Sequence, residues 1–340
     1  MKHSATVTLS EVAAAAGVSL ATASRALNGS VRRVREDLKE RVLDAAKRLD
    51  YSANAQAQAM ARGFTNVVGL VVHDIADPYF SSIAAGVTHA AEGHDLLVTL
   101  GSTARNPERE LDYLTMLRRQ RSRAAILAGS RVGDKELTDA LRREVVAFQE
   151  AGGHVVAISQ ARLPVDTVVV ENRASARLLA RELAKLGYRR FAVLAGAPEL
   201  LTARDRVQGF KDGLAESPAR LVASIDGAFT RDGGYAAMTE LLATKSKVDC
   251  VFAVNDVMAV GAMAACRDHG IALPGDLAIA GFDDITTLRD VTPSLTTVRL
   301  PLDQIGATAL DLVITAEPGA KPRIRRVKGS AVLRASTPAR

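Results

Sequence analysis

From Val67 onward the chain alternates short β-branched runs with stretches of helical periodicity, and this alternation restricts the fold more than any other feature. Val67–Val72, Leu96–Leu100, Ala124–Leu127 and Val155–Ile158 read as strands, with helical stretches at Ser82–Glu92, Pro107–Arg119 and Glu136–Glu150 between them. After Thr167–Val170 the pattern resumes: helix Arg173–Leu186, strand Phe191–Leu194, helices Arg204–Glu216 and Gly234–Leu242, strand Cys250–Val254, helix Val257–His269 and strand Leu277–Ala280. Repeated β-α-β units require parallel sheets with helices on both faces. Two such runs, joined near Leu163–Asp166, predict an α/β core of two similar lobes, residues 65–340. Lobe 1 is expected at about residues 65–164 and 294–322, and lobe 2 at about 165–290 and 323–340.

In open parallel sheets ligands bind beyond the carboxyl ends of the strands. Polar residues stand at those ends in both halves: Asp74, Asp77, Ser102, Ser130, Ser159, Glu171, Asn172, Asn255-Asp256 and Asp283-Asp284. Some of these are expected to cap helices, Asp256 most clearly.

The first 64 residues have a different character. They hold ten Lys/Arg against six Asp/Glu, whereas the remaining residues are close to balanced at 34 against 32. Val12 to Arg35 contains four arginines and no carboxylate, which suits a polyanion as well as a plain solvated face. Thr8 with Glu11 forms a capping-box pattern ahead of a short helix at about Leu9–Ala15. Gly17 breaks that helix and Ser19 offers the next N-cap. A third helix fits Arg35–Leu49, with Leu38, Val42, Ala45, Ala46 and Leu49 on one stripe. Residues 1–50 thus follow the helix-turn-helix plan, in which the second helix enters the DNA major groove. Residues 51–64 are a linker by composition, although Ala55–Ala61 is made of good helix formers.

The string Thr8-Leu-Ser-Glu-Val-Ala-Ala-Ala-Ala-Gly-Val-Ser-Leu-Ala-Thr-Ala-Ser-Arg-Ala-Leu-Asn28, with Arg41–Ala46 and Leu49–Asn54, resembles the headpiece of the lactose-repressor (LacI/GalR) family of bacterial transcription regulators. The later chain resembles the family's effector-binding core, a periplasmic-binding-protein-like pair of lobes. The resemblance implies a repressor that reads a pseudo-palindromic double-stranded operator as a homodimer. It places Leu20 and Ala21 at base edges, Ser19, Thr22, Ser24 and Asn28 at phosphates, and Arg25 at a base. Leu20 as an ordinary core leucine is the alternative. Thr8, Arg33, Asn54 and Ala57 complete the expected contacts, and Met60 stands where relatives insert a leucine wedge from a hinge helix.

In the core, Asp77-Pro-Tyr-Phe80, Arg206-Val-Gln-Gly-Phe210, Asn255-Asp256 and Gly281-Phe-Asp-Asp284 are similar to the family's effector-site motifs. The expected effector contacts are Tyr79, Phe80, Ser130, Ser159, Arg206, Phe229, Asn255 and Asp283. A guanidinium opposite a carboxylate, with an amide between, suits hydroxyl- or carboxylate-bearing small molecules, a sugar or another small polar metabolite, with an anion or a nucleobase as equal alternatives. Pairing of Arg206 with Asp205 or Asp212 is the structural alternative. Sugar-binding relatives often place an aspartate where Ser159 and Gln160 stand here, so one hydroxyl acceptor is missing.

Other classes fit less well. No phosphate-binding loop, G-x-G, H-E-x-x-H or G-x-S-x-G motif occurs, and His73, His89, His94, His154 and His269 lack metal spacing. No catalytic set, metal or cofactor is expected. Cys250 and Cys266 read as buried, inert thiols. No apolar run approaches the ~20 residues of a membrane span, and no signal-like segment opens the sequence. A cytoplasmic protein without membrane partners is expected; a solute receptor, or an enzyme carrying a DNA-binding head, is the alternative.

Overall fold

The computed structural model describes residues 7–28, 34–51, 63–317 and 319–340. The chain divides into two compact units, residues 1–65 and 66–340.

Three helices build the first unit: α1 (Leu9–Ala16), α2 (Leu20–Asn28) and α3 (Glu36–Arg48). Thr8 and Glu11 cap α1 reciprocally, the Glu11 carboxylate accepting from the Thr8 N–H at 2.7 Å. Gly17 ends α1 at φ +63°, a conformation strained for any residue with a Cβ. Arg41 of α3 closes the same turn by donating to the Ala16 carbonyl at 2.5 Å. Ser19 then caps α2 by accepting from the Thr22 N–H at 3.1 Å. The core here is made almost wholly of small residues: Val12, Ala13, Ala16, Ala23, Ala26, Val42, Ala45 and Ala46. Alanines on all three helices let short elements pack without large side chains.

The second unit holds two parallel sheets. The first contains β1 (Val67–Val72), β2 (Leu97–Ser102), β3 (Ala124–Ala128), β4 (His154–Ile158), β5 (Asp166–Val170) and β11 (Ile324–Val327), in the order β11-β5-β4-β3-β1-β2. The second contains β6 (Arg190–Gly196), β7 (Arg220–Asp226), β8 (Cys250–Ala253) and β9 (Ala278–Ala280), in the order β7-β6-β8-β9. A separate antiparallel pair joins β10 (Thr297–Arg299) to β12 (Ser330–Val332). The helices that matter below are α4 (Pro78–Ala91), α5 (Glu108–Arg119), α6 (Lys135–Glu150), α7 (Asn172–Lys185), α8 (Leu201–Leu214), α9 (Arg231–Ala243), α10 (Asp256–Asp268) and α11 (Leu302–Ile314). At the α4–α11 crossing, a Cβ on Gly86 would lie 2.0 Å from the Asp303 carbonyl oxygen, and one on Gly306 2.2 Å from that of Ile83. Cys250 and Cys266 are buried and unbridged, and burial pushes the Cys266 thiol up to about 11. Among the described residues no helix is long and apolar enough to cross a membrane.

The expected lobe boundaries need correction. Residues 166–170 and 324–327 belong to the sheet of lobe 1, not to lobe 2. Asp166 at the head of β5 fixes this arrangement: it accepts from the Arg323 backbone N–H at 2.6 Å, from the Arg323 guanidinium at 2.5 Å, and pairs with His154 at 3.1 Å. The loop 159–165 joining β4 to β5 is shorter than the usual crossover between parallel strands. Residues 296–299, expected in lobe 1, bridge instead to Ala280 and Asp283 of lobe 2. β7 went unpredicted because its side chains alternate between exposed and half-buried at a sheet edge.

Candidate functional site

One face of α2 is turned to solvent. Ser19, Leu20, Ala21 and Arg25 are exposed, Thr22 and Ser24 are half-buried, and Ala23 and Ala26 face the core. Leu20, 51% exposed, is therefore no core leucine. Its aliphatic end and the Ala21 methyl can only make apolar contact, of the kind a thymine methyl accepts, while Arg25 has the fork geometry for a guanine edge. Thr8 spends its hydroxyl on Glu11 at 2.9 Å. The Asn28 side chain and residues Arg33, Asn54, Ala57 and Met60 lie outside the described residues.

In the core, the strand ends of both sheets open onto one interlobe cleft. Tyr79, Phe80, Ser130, Ser159, Arg206, Phe229, Asn255 and Asp283 all line it. His73, which lacks metal spacing, lines it too, as do Arg105, Leu200 and Thr202, which no sequence motif marks. Arg105 follows a turn in which Ala104 and Arg105 both take positive φ, a signal invisible to periodicity. Ser102, Glu171 and Asp284 do not line the cleft. Asp284 is instead held by Arg299 and Arg334, each at 2.6 Å.

Arg206 is the centre of the polar lining. It is 2% exposed, lies in α8, and donates to Asn172 Oδ1 at 2.9 Å, to the Val254 carbonyl at 2.7 Å and to Asp283 Oδ1 at 2.8 Å. Its guanidinium carbon sits 3.9 Å from the centroid of the Phe282 ring, a cation–π contact. The guanidinium thus bonds to Asn172, Val254 and Asp283 rather than to Asp205 or Asp212, and Asp212 is paired with Arg173 at 2.7 Å. Asn172 supplies the amide beside the guanidinium. Asp283 is held at φ +125°, a costly conformation for an aspartate, by its N–H donating to the Val298 carbonyl and its carbonyl accepting from Leu300. Burial raises the Asp283 carboxyl well above the usual carboxylate range, against the pull of Arg206.

Asp256 was the expected cap of α10, but Asn255 caps it, accepting from the Met258 N–H at 2.9 Å. An amide oxygen does this work and leaves the amide NH2 of Asn255 for the cleft. Asp256 is wholly buried one residue on, where it accepts from Thr297 Oγ1 at 2.7 Å and from the Ile285 N–H at 3.0 Å, and burial raises it to about 7.

On the opposite wall Tyr79 packs edge-on against Phe80, with ring centroids 5.0 Å apart. Burial, reinforced by the Asp283 carboxylate, raises the Tyr79 hydroxyl, which stays protonated and able to donate. Asp77 caps α4 through the Tyr79 N–H at 3.0 Å and also takes Arg105 at 3.1 Å. Burial lowers His73 to about 4, so its ring is neutral near pH 7. The enclosed space is about 50 Å³, room for a few waters. Among the described residues no three His, Cys, Asp or Glu side chains gather as metal ligands.

Comparison with known proteins gives the same two parts. Residues 8–54 match the bacterial regulatory proteins of the lacI family, and residues 180–337 match a periplasmic binding protein-like domain. The chain is 34% identical over 317 residues to the HTH-type transcriptional regulator GalS of Salmonella typhimurium, covering 92% of this chain and 91% of that one. It is 33% identical over 312 residues to GalR of Escherichia coli, covering 90% and 88%. Among solved structures it is similar to the transcriptional regulator CelR in complex with cellobiose, at TM-score 0.69 and 30% identity, covering 97% of this chain and 99% of that one. The operator-bound lac repressor dimer shares its fold at TM-score 0.82 and 24% identity, covering 98% and 99%. With a headpiece that presents a polar helix face, a two-lobed core around an enclosed cleft, and relatives matching over nine-tenths of its length, the chain belongs to the lacI family of DNA-binding transcriptional regulators, whose operator affinity answers to a small effector.

Proposed function

We propose that this regulator is a homodimeric cytoplasmic repressor without catalytic activity, and that its effector is a neutral, hydroxyl-rich molecule of the sugar type. One observation carries the effector class: the two cationic side chains that line the cleft are already matched. Arg206 is paired with Asp283 at 2.8 Å, and Arg105 with Asp77 at 3.1 Å and Asp74 at 3.4 Å. A phosphate or carboxylate ligand would meet these carboxyl groups where, among the described residues, each arginine lining the cleft already faces a carboxylate, whereas hydroxyls can donate to Asp77 and Asp283 and accept from Asn255 and Tyr79. The rings of Tyr79, Phe80 and Phe229 supply apolar faces for the C–H side of a sugar. The cellobiose held by the CelR neighbour supports the same class.

Differential scanning fluorimetry of the full chain against galactose, ribose and cellobiose, each beside a phosphate ester, tests this. A neutral sugar should raise the melting temperature and its ester should not. Tighter binding of any ester than of its parent overturns the proposed class.

For DNA, the exposed Ser19, Leu20, Ala21 and Arg25 are proposed to enter the major groove, with Thr22 and Ser24 at phosphates. Thr8 contributes by fixing the start of α1. Two symmetric headpieces match a pseudo-palindromic operator, and light scattering should give a dimer.

A further inference from the structure

The two lobes bond directly to each other at one end of the cleft, through groups that need no ligand. Val132 of lobe 1 and Leu200 of lobe 2 form an antiparallel bridge. Beside it the Leu201 N–H donates to the Arg131 carbonyl at 3.0 Å, and the Gly133 N–H to the Glu199 carbonyl at 3.3 Å. Side chains complete the seam. Ser130 Oγ accepts from the Thr202 N–H at 3.0 Å, and Gln160 accepts from the Arg131 N–H at 3.0 Å while donating to Thr202 Oγ1 at 3.0 Å. A glutamine suits this place because one planar amide offers an acceptor and a donor on opposite sides.

Both ends of the seam are anchored. Arg131, 5% exposed, is held by a two-pronged ion pair to Glu110 of α5, at 2.8 and 2.6 Å. Thr202 stands in the first turn of α8, four residues before Arg206 and so on the same helix face. The position of the seam therefore sets where Arg206 and Asp283 lie relative to Tyr79 and Phe80. The free space in the cleft is about 50 Å³, so a ligand larger than a few waters fits better once the lobes part.

We propose that Gln160, with Ser130 and Thr202, is an interlobe latch that holds the core closed without effector, so that Gln160 is a positioning residue and effector entry requires the latch to open. The consequence for entry rests on the cleft being the effector site; the latch itself does not.

Amide hydrogen exchange on the unliganded full chain tests the latch with no effector present, so its failure is distinct from failure of the effector reading. Gln160→Leu should speed exchange at the amides of Arg131, Leu201 and Thr202 by about tenfold, leaving the amides of β3 and mid-α8 as protected as before. Thr202→Val should do the same, Thr202→Ser should retain protection, and the double variant should open the seam no further than either single one. Unchanged exchange at the three amides in Gln160→Leu overturns the latch. So does exchange accelerated equally across the whole core, which would make Gln160 merely structural.

Discussion

Replacing Arg206 by alanine removes the hub of the cleft, and the structure fixes what is left behind. Asn172 Oδ1, the Val254 carbonyl and Asp283 Oδ1 lose their donor together, and the Phe282 ring loses the guanidinium on its face. Each is buried, so water cannot substitute freely; breaking such a buried pair from one side costs about 3–5 kcal/mol. For a unit of this size that is a fall in melting temperature on the order of 10 °C. The pH dependence identifies the cause. With the guanidinium gone, the Asp283 carboxyl, already raised by burial, rises further. A folded pKa above the unfolded one contributes stability at low pH that is lost as pH rises through the folded value. The deficit of Arg206→Ala against the parent chain should therefore widen with rising pH. Thermal melts of both chains at pH 5, 6.5 and 8 measure it. A variant as stable as the parent refutes the hub, and a deficit independent of pH refutes the role given to Asp283.

Asp256, raised to about 7 by burial, should make the core less stable as pH climbs from about 4 to 7, and Asp256→Asn should flatten that part of the profile in calorimetric melts. Gly86→Ala forces α4 and α11 apart, since its Cβ would lie 2.0 Å from the Asp303 carbonyl oxygen; melts should show a loss of ~1–3 kcal/mol. Arg25→Ala should cost ~1–3 kcal/mol on the cognate operator and relax preference at one base pair in a gel-shift series; an equal loss on every sequence would make it a phosphate contact. A chain beginning at Asn66 should keep the thermal transition of the core and lose operator binding altogether in the same gel-shift assay.

Local physics was legible in the sequence, and contacts between distant segments were not. The cap at Thr8, the turn at Gly17 and, in the stripe of the third helix, Val42, Ala45, Ala46 and Leu49 are set by neighbours a few residues apart, and the structure shows them where spacing placed them, while Leu38 stays outside that cluster. The cleft residues could be nominated because strand ends are readable and parallel sheets gather ligands there. Which residue caps α10 was not readable, because Asn255 and Asp256 are equally able caps and the choice depends on Thr297, 41 positions away, which takes the Asp256 carboxylate. Lobe membership failed for the same reason: β5 lies in lobe 1 because Arg323, 157 positions on, grips Asp166 and brings β11 alongside.

Ser159-Gln160 shows how such a gap changes a functional reading. In sequence the pair is only the loss of an expected acceptor for a sugar hydroxyl, a subtraction from the site. In the structure Ser159 turns its hydroxyl onto the Gln160 carbonyl at 3.0 Å, and the Gln160 amide reaches Thr202, 42 positions further along, from the other lobe. An aspartate at 160 would offer a shorter side chain with acceptors only, beside the Asp205 carboxyl that the Gln160 amide contacts. Two carboxylates would repel there, and the seam would be weaker near neutral pH. The carboxyl groups that line the cleft among the described residues are Asp77 and Asp283, one from each lobe, so a molecule bonded to both must span the cleft that the latch closes. The latch residues Ser130, Gln160 and Thr202 line the same cleft as these two carboxyls, yet a substitution at Gln160 should alter the ease of opening while leaving Asp77 and Asp283 in place.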